Sequence, residues 1–215
     1  MNSQVRTTVH LLRHGEVHNP AKVLYGRLPG YVLSDLGHEM AKRAGLALAN
    51  KDIAAVISSP LERAQQTATP VAAAHGLEIG IDTNLIEAEN IFEGQRVSVG
   101  DGVLRQPKTW KHLYNPLKPS WGEPYKVVAS RMRLAVDAAR ELARGHEAVL
   151  VSHQLPIWIS RLDFEGRRFA HDPRRRQCNL ASITSLVFDG DDLTAVLYTE
   201  PSADLIAKAS KIAGA

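Results

Sequence analysis

The chain has 215 residues, 44% hydrophobic, 23% charged and 6% aromatic, a composition that fits one core-forming domain and excludes a disordered or fibrous class. Its single cysteine, Cys178, excludes an intramolecular disulfide and any multi-cysteine zinc or iron–sulfur centre. With 26 Lys plus Arg against 23 Asp plus Glu the net charge is +3, a basic excess that suits small anionic ligands but lacks the clustered charge of a nucleic-acid binder.

Thr7 to Leu12 is a short apolar and β-branched run that ends at Arg13-His14-Gly15, the pattern of a buried strand leading into a functional loop. Arg6, Arg13 and His14 interrupt the N-terminal apolar stretch before it reaches the length of a signal peptide or membrane span, so a cytoplasmic location without a membrane partner is expected. Ser34 is a candidate N-cap for a helix over residues 35–51, with Leu36, Met40, Ala44, Leu46 and Leu48 at helical spacing. A second strand, Ile53 to Ile57, turns through Ser58-Ser59-Pro60 into a helix over 61–75 that Pro70 is expected to bend or shorten. A third apolar segment runs from Leu77 to Ile81.

Gln95 to Gly122 fits neither the helical nor the strand period. It holds Pro107, Pro116, Pro119, Trp110 and Trp121, with five cations against Asp101, and is expected to be a lid or substrate-binding insertion whose tryptophans pack it together. Tyr125 to Arg144 reads as the strongest amphipathic helix, with Val128, Met132, Leu134, Val136, Ala139 and Leu142 inward and Gly145 as its C-cap. A strand at Ala148 to Val151 and a helix from about Leu155 follow. Ser182 to Phe188 and Leu193 to Tyr198 form a hairpin across a Gly-containing turn, and the tail from Ser202 is a peripheral or frayed helix. The alternation predicts a single α/β domain, a three-layer sandwich whose mainly parallel sheet has an antiparallel edge and helices on both faces.

Ligand sites in such sheets lie beyond the carboxyl ends of the strands. Three of those ends carry unusual residues: Arg13-His14-Gly15-Glu16 with Asn19, Ser58-Ser59-Pro60-Leu61-Glu62-Arg63, and Ser152-His153-Gln154. Core packing does not require two histidines and two arginines on one edge. A phosphate monoester does: its dianion needs fixed cations, the Arg fork matches phosphate oxygens in pairs, and helix starts near Arg63 and Gln154 add amides. At an effective dielectric of about 20, each cation at about 4 Å contributes roughly 4 kcal/mol before desolvation. Either His14 or His153, neutral near pH 7, is a competent nucleophile, and Glu87 or Glu89 a candidate acid for the leaving oxygen.

The blocks Leu12-Arg13-His14-Gly15-Glu16, Ser58-Ser59-Pro60-Leu61-Glu62-Arg63, Leu85-Ile86-Glu87, Gly122-Glu123 and Val151-Ser152-His153 resemble, in order, the motifs of the histidine phosphatase superfamily, the phosphoglycerate-mutase-like family. The resemblance implies that His14 is phosphorylated, that Arg13, Arg63, His153 and Asn19 contact phosphate, that Glu87 donates the proton, and that no metal or other cofactor takes part. Here the segment after Glu87 lacks the family's glycine and runs one residue short before Glu93-Gly94, so Glu87 and Glu89 both stand as acids. Pro124 and Gln154 replace the family's serine and glycine, and Gln154 is added to the phosphate-binding set.

The expected activity is a metal-independent phosphomonoesterase acting through phospho-His14 on a small phosphorylated metabolite. Its rivals are a phosphoglycerate mutase and a phospholigand-binding protein without turnover. A nucleic-acid partner is not expected, and a homodimer is left open. Other features have ordinary readings: Arg174-Arg175-Arg176 as a solvated run, Cys178 as a small filler, and His14 with His18 as an i,i+4 pair that lacks a third metal ligand.

Overall fold

In the computed structural model residues 5–96 and 122–209 are described. The expected insertion, with Trp110 and Trp121, therefore lies outside the described residues apart from its ends. Six strands, β1 (Arg6–Arg13), β2 (Ile53–Ser58), β3 (Ile79–Ile81), β4 (Glu147–Ser152), β5 (Ile183–Asp189) and β6 (Asp192–Thr199), form one sheet in the order β3-β2-β4-β1-β5-β6. The first four are mutually parallel and β5 runs antiparallel to β1, returning as β6 through a two-residue turn where Gly190 takes φ 61°.

Alternation along the strands feeds two cores. Val9, Leu11, Ala148, Leu150, Leu186 and Phe188 face helices α3 (Tyr125–Leu142) and α4 (Gln154–Phe164). Leu12, Val56, Val149, Val151 and Ile183 face α1 (Asp35–Leu48) and α2 (Glu62–His75). The central strands β1 and β4 are buried on both faces, which is why they read as nearly continuous apolar runs, whereas the edge strand β3 is largely exposed. The architecture is the expected three-layer α/β sandwich.

Several local expectations change in the tertiary structure. Leu46, Leu134 and Leu142 are 65%, 63% and 67% exposed. In α1 the buried side is made of Gly37, Met40, Ala41, Ala44, Gly45 and Leu48, because the backbones of α1 and α2 approach so closely that a Cβ on Gly45 would lie 3.1 Å from the Pro70 carbonyl. In α3 Leu134 is two residues, about 200°, from both Met132 and Val136, so the face those two bury turns it outward. Helix α2 runs unshortened through Pro70, and α3 ends with Ala143 as its C-cap, Gly145 taking φ 86° in the following turn.

The register then builds the functional edge. Leu12 and Ser58 both stand opposite Val151, and Arg13 opposite Ser152, so three strand ends lie side by side. Backbone bonds His14 N–H to Ser152 O (3.1 Å) and Ser59 N–H to Val151 O (2.9 Å) carry the alignment one residue further.

The loop after β1 is held by close packing of two glycines. Ser34 caps α1 by accepting from Gly37 N–H, donates from Oγ to Glu16, and donates from its backbone N–H to the Glu16 carbonyl. A Cβ on Gly37 would fall on that carbonyl oxygen, and one on Gly15 would lie 2.5 Å from the Gly37 oxygen. Both obstacles are backbone, so Gly37→Ala is expected to cost about 1–3 kcal/mol by overpacking, read as a lowered Tm together with lowered activity. An unchanged Tm would mean that the loop does not depend on this contact.

Candidate active site

His14 follows β1 and is 1% exposed. Its Nδ1 lies 2.7 Å from the Gly15 carbonyl oxygen, which can only accept, so Nδ1 carries the proton and a neutral ring keeps its lone pair on Nε2. Burial first, then the Arg63 and Arg13 guanidiniums, hold the His14 pKa well below the usual imidazole value, against a smaller upward pull from the Gly15 bond. The ring is therefore neutral through the physiological range.

Arg63 enters from the second residue of α2, whose Ser59-Pro60 turn places it directly above the β2 end. It is fully buried; Nη2 donates to the Gly26 carbonyl at 2.6 Å and the guanidinium lies over the Tyr25 ring at 4.7 Å. Its Nε and Nη1 have no hydrogen-bond partner among the described residues. Leaving a buried charged donor unpaired costs a few kcal/mol, so such atoms call for an anion. Thr67 Oγ1 ties this helix turn to the His14 loop, donating to Arg63 O at 2.7 Å and accepting from Gly15 N–H at 3.1 Å. Arg13 comes from the β1 end, with Nη1 anchored on the Cys178 carbonyl at 2.8 Å.

His153, fully buried at the start of α4, packs 5.1 Å from the His14 ring. Its Nε2 is 2.8 Å from Ser59 Oγ, and its Nδ1 has no partner among the described residues. Burial, Arg63, His14 and Arg13, in that order, lower its pKa well below 6.5. Gln154 begins α4; its Oε1 accepts from Arg176 Nη1 at 3.3 Å and its Nε2 donates weakly to Cys178 O at 3.4 Å. Asn19 faces elsewhere, with Nδ2 donating to Val23 O at 2.7 Å and Oδ1 accepting from Val23 N–H at 3.3 Å, so its side chain braces the loop that delivers Tyr25 and Gly26.

The two glutamates part company. Glu87 follows a one-turn helix, Thr83–Leu85, that Ser152 Oγ ties to the β4 end by donating to Leu85 O at 2.6 Å. Its carboxylate accepts from Ala88 N–H and faces Arg63, Arg13 and Arg176, yet burial outweighs these and raises its pKa above the usual carboxylate value. Glu89, its side chain 69% exposed, pairs with Arg27 at 2.8 Å. Of the two, Glu87 is the one that faces Arg63 and Arg13.

Sequence reasoning missed three residues here. Arg27 donates to the Glu87 carbonyl at 2.6 Å and pairs with Glu89 and Glu123, clamping the Glu87 loop to the segment that re-enters at Gly122. Tyr25 stands edge-on to His14 at 6.4 Å, its phenol pushed up to about 12 by burial. Arg176 breaks the expected solvated run: Arg174 and Arg175 are exposed, but Arg176 turns inward to line a cavity of about 140 Å³ with Glu87, Tyr125 and Gln154. A tyrosine between apolar residues and an arginine among arginines carry no local signal for these roles. Cys178 is a fully buried thiol with its pKa pushed up to about 11, in line with its reading as filler.

His18 is exposed whereas His14 is buried, and no group of three or more His, Cys, Asp or Glu among the described residues is placed to hold a metal ion. Among the same residues no helix is long and apolar enough to cross a membrane. A roomier cavity of about 760 Å³ lies on the β1–β5–β6 face, where His10 bridges Ser185 and Glu147, and Arg13 and Arg63 do not line it.

Comparison with known proteins agrees with this geometry. The chain is 57% identical over 197 residues, 92% of its length and 98% of the relative's, to the uncharacterized protein Rv0525 of Mycobacterium tuberculosis. It is 30% identical over 184 residues to the "Probable phosphoglycerate mutase GpmB" of Yersinia pestis, covering 81% of this chain and 83% of that one. The solved structure of Bacillus stearothermophilus YhfR superposes with a TM-score of 0.75 at 26% identity, covering 93% of this chain and 99% of that one. Residues 9–201 match the profile of the Histidine phosphatase superfamily (branch 1), which takes in all three functional strand ends, and the chain belongs to that superfamily.

Proposed function

We propose that the chain is a phosphomonoesterase that passes the phosphoryl group through His14 to water. The observation that carries this reading is the His14 tautomer: a neutral, buried imidazole with Nδ1–H committed to Gly15 O and its Nε2 lone pair beside two guanidiniums. Nε2 attacks phosphorus, the P–O bond to the alcohol breaks, and the departing oxygen takes a proton from Glu87, a group kept protonated beyond the usual carboxylate range. Water, deprotonated by the resulting Glu87 carboxylate, then attacks the phosphohistidine; the N–P bond breaks, His14 returns to neutral and Glu87 regains its proton. Arg13 and Arg63 supply the positive charge that metal ions give in other phosphoryl-transfer sites, and the unpartnered Arg63 and His153 donors match the extra oxygens.

The pH dependence follows in sign. The nucleophile is lost only as pH falls through a His14 pKa lying well below 6.5, and the acid is lost as pH rises through a Glu87 pKa lying above 4.5. The optimum of kcat/KM is therefore expected on the acid side of neutrality.

A screen of phosphorylated metabolites in excess EDTA, scoring both inorganic phosphate and isomerised ester, tests the reading. Phosphate release that persists in chelator is expected. Loss with EDTA and rescue by one metal overturns the metal-independent reaction. Isomer without phosphate would instead favour a mutase, the reading to which the 30% identity with GpmB points.

A further inference from the structure

The cavity of about 760 Å³ lies toward the start of β1, where Arg6, Thr8 and His10 line it and His14 does not. His10 precedes His14 by four residues, about 13 Å along the strand, so the two histidines serve different surroundings. Within this cavity a hydroxyl, an imidazole and a carboxylate form a chain across three strands. His10 stands opposite Ser185 in the β1–β5 register, its Nδ1 2.8 Å from Ser185 Oγ and its Nε2 2.5 Å from Glu147 Oε2 at the start of β4.

The direction of the protons follows from the partners. A carboxylate can only accept, so Nε2 carries the proton and the lone pair of the neutral ring is on Nδ1, where it accepts from the Ser185 hydroxyl. Glu147 stays ionised, since its bond to His10 outweighs partial burial and holds its carboxyl below the usual range. His10 is 4% and Ser185 8% exposed, so both are held by their surroundings while the hydroxyl still opens on the cavity. This is the arrangement that activates a serine: a base within hydrogen-bond reach, itself oriented by a third group.

Packing does not ask for it. Leu12 in β1 and Ile183 and Val187 in β5, on the same face as His10 and Ser185, are apolar and buried. Apolar residues of similar volume commonly stabilise a core as well as a buried ion pair does, because the pair must first be desolvated. The cavity has the size of a small-molecule site, and two exposed cations, Arg6 and Lys51, border it and offset negative charge developing on a bound oxygen.

We propose that Ser185, His10 and Glu147 form a second catalytic site, separate from the phosphate site, that hydrolyses small carboxylic esters. Ser185 Oγ attacks the carbonyl carbon as its proton passes to His10 Nδ1; the C–O bond to the alcohol breaks, and the alcohol leaves with that proton. Water then attacks the acyl-serine and gives a proton to Nδ1, the bond from the acyl carbon to Oγ breaks, and Ser185 regains the proton. Glu147 takes no proton and acts as a positioning residue for the ring. The phosphomonoesterase reading is not needed for any of these steps.

The test is labelling of the intact protein with an alkyl fluorophosphonate, which bonds to an activated serine and releases fluoride, the modified residue being located by peptide mass. The wild type is labelled on Ser185. His10→Gln slows this at least about 10²-fold. Glu147→Gln, which keeps the shape and removes the charge, lowers the maximal labelling rate at least about tenfold and leaves the half-saturating probe concentration within about threefold. Acetate release from p-nitrophenyl acetate falls to background in Ser185→Ala, whose cooperative thermal unfolding confirms that it is folded. A wild type labelled on His14 or elsewhere and not on Ser185, an undiminished labelling rate in folded His10→Gln, or unchanged ester turnover in Ser185→Ala overturns the site. Should His10→Gln not fold, the wild-type label and the Ser185→Ala turnover decide.

Discussion

His14→Ala is expected to lower turnover by at least about 10⁴-fold, since it deletes the atom that the proposed reaction uses as nucleophile and water has no comparable position. The protein should stay folded. The change removes one ring and one hydrogen bond to Gly15 O, about 1–3 kcal/mol, and relieves the buried site of a group crowded by Arg63 and Arg13. Rapid quench with labelled substrate should trap a base-stable, acid-labile phosphoryl-enzyme in the wild type and none in the variant, with the circular dichroism of both unchanged. His153→Ala has a different signature. Its Nδ1 has no partner among the described residues and so is assigned to a phosphoryl oxygen, and the variant should still form the intermediate, slowly and with weaker phosphate binding. Near wild-type turnover in His14→Ala would falsify the nucleophile assignment.

Glu87→Gln should depress hydrolysis of an alkyl phosphate by roughly 10²-fold or more while sparing p-nitrophenyl phosphate much better, because a stabilised phenolate departs without a proton. The alkaline limb of the pH profile should disappear with it, since that limb is the deprotonation of this carboxyl. Glu89→Gln should show neither effect. It breaks an exposed pair with Arg27, an interaction of about 0.2–1 kcal/mol, and Arg27 keeps its bonds to Glu123 and the Glu87 carbonyl. Selective loss in Glu89→Gln instead would mean that the loop rearranges when substrate binds and exchanges the two carboxylates.

Much of the site was legible because its parts are local. Arg13-His14, Ser58-Ser59 and Ser152-His153 each end an apolar strand run, and parallel strands bring their carboxyl ends to one edge whatever their distance in sequence. The Ser34 cap and the Gly190 turn were equally readable, for they depend on a few adjacent residues. The helix faces were read less well. Leu46 and Leu134 look like core in one dimension, but α1 packs through Gly37, Ala41, Ala44 and Gly45 beside Met40 and Leu48, and in α3 the face that buries Val128, Met132 and Val136 turns Leu134 outward.

The amino-acid sequence by itself determined the sandwich and the gathering of Arg13, His14, Arg63 and His153 at one edge of the sheet, since strand alternation, capping and turn chemistry act over a few residues. Tertiary structure alone separated the two candidate carboxylates, because burial raises the Glu87 pKa while Arg27, 62 positions from Glu89, pairs with the other. It alone separated Arg176 from its two solvated neighbours, by setting His171 and Gln154 where only the last of three identical side chains can reach them. Desolvation and ion pairing depend on everything that surrounds a group in space, and three arginines in a row carry no record of which one will be enclosed.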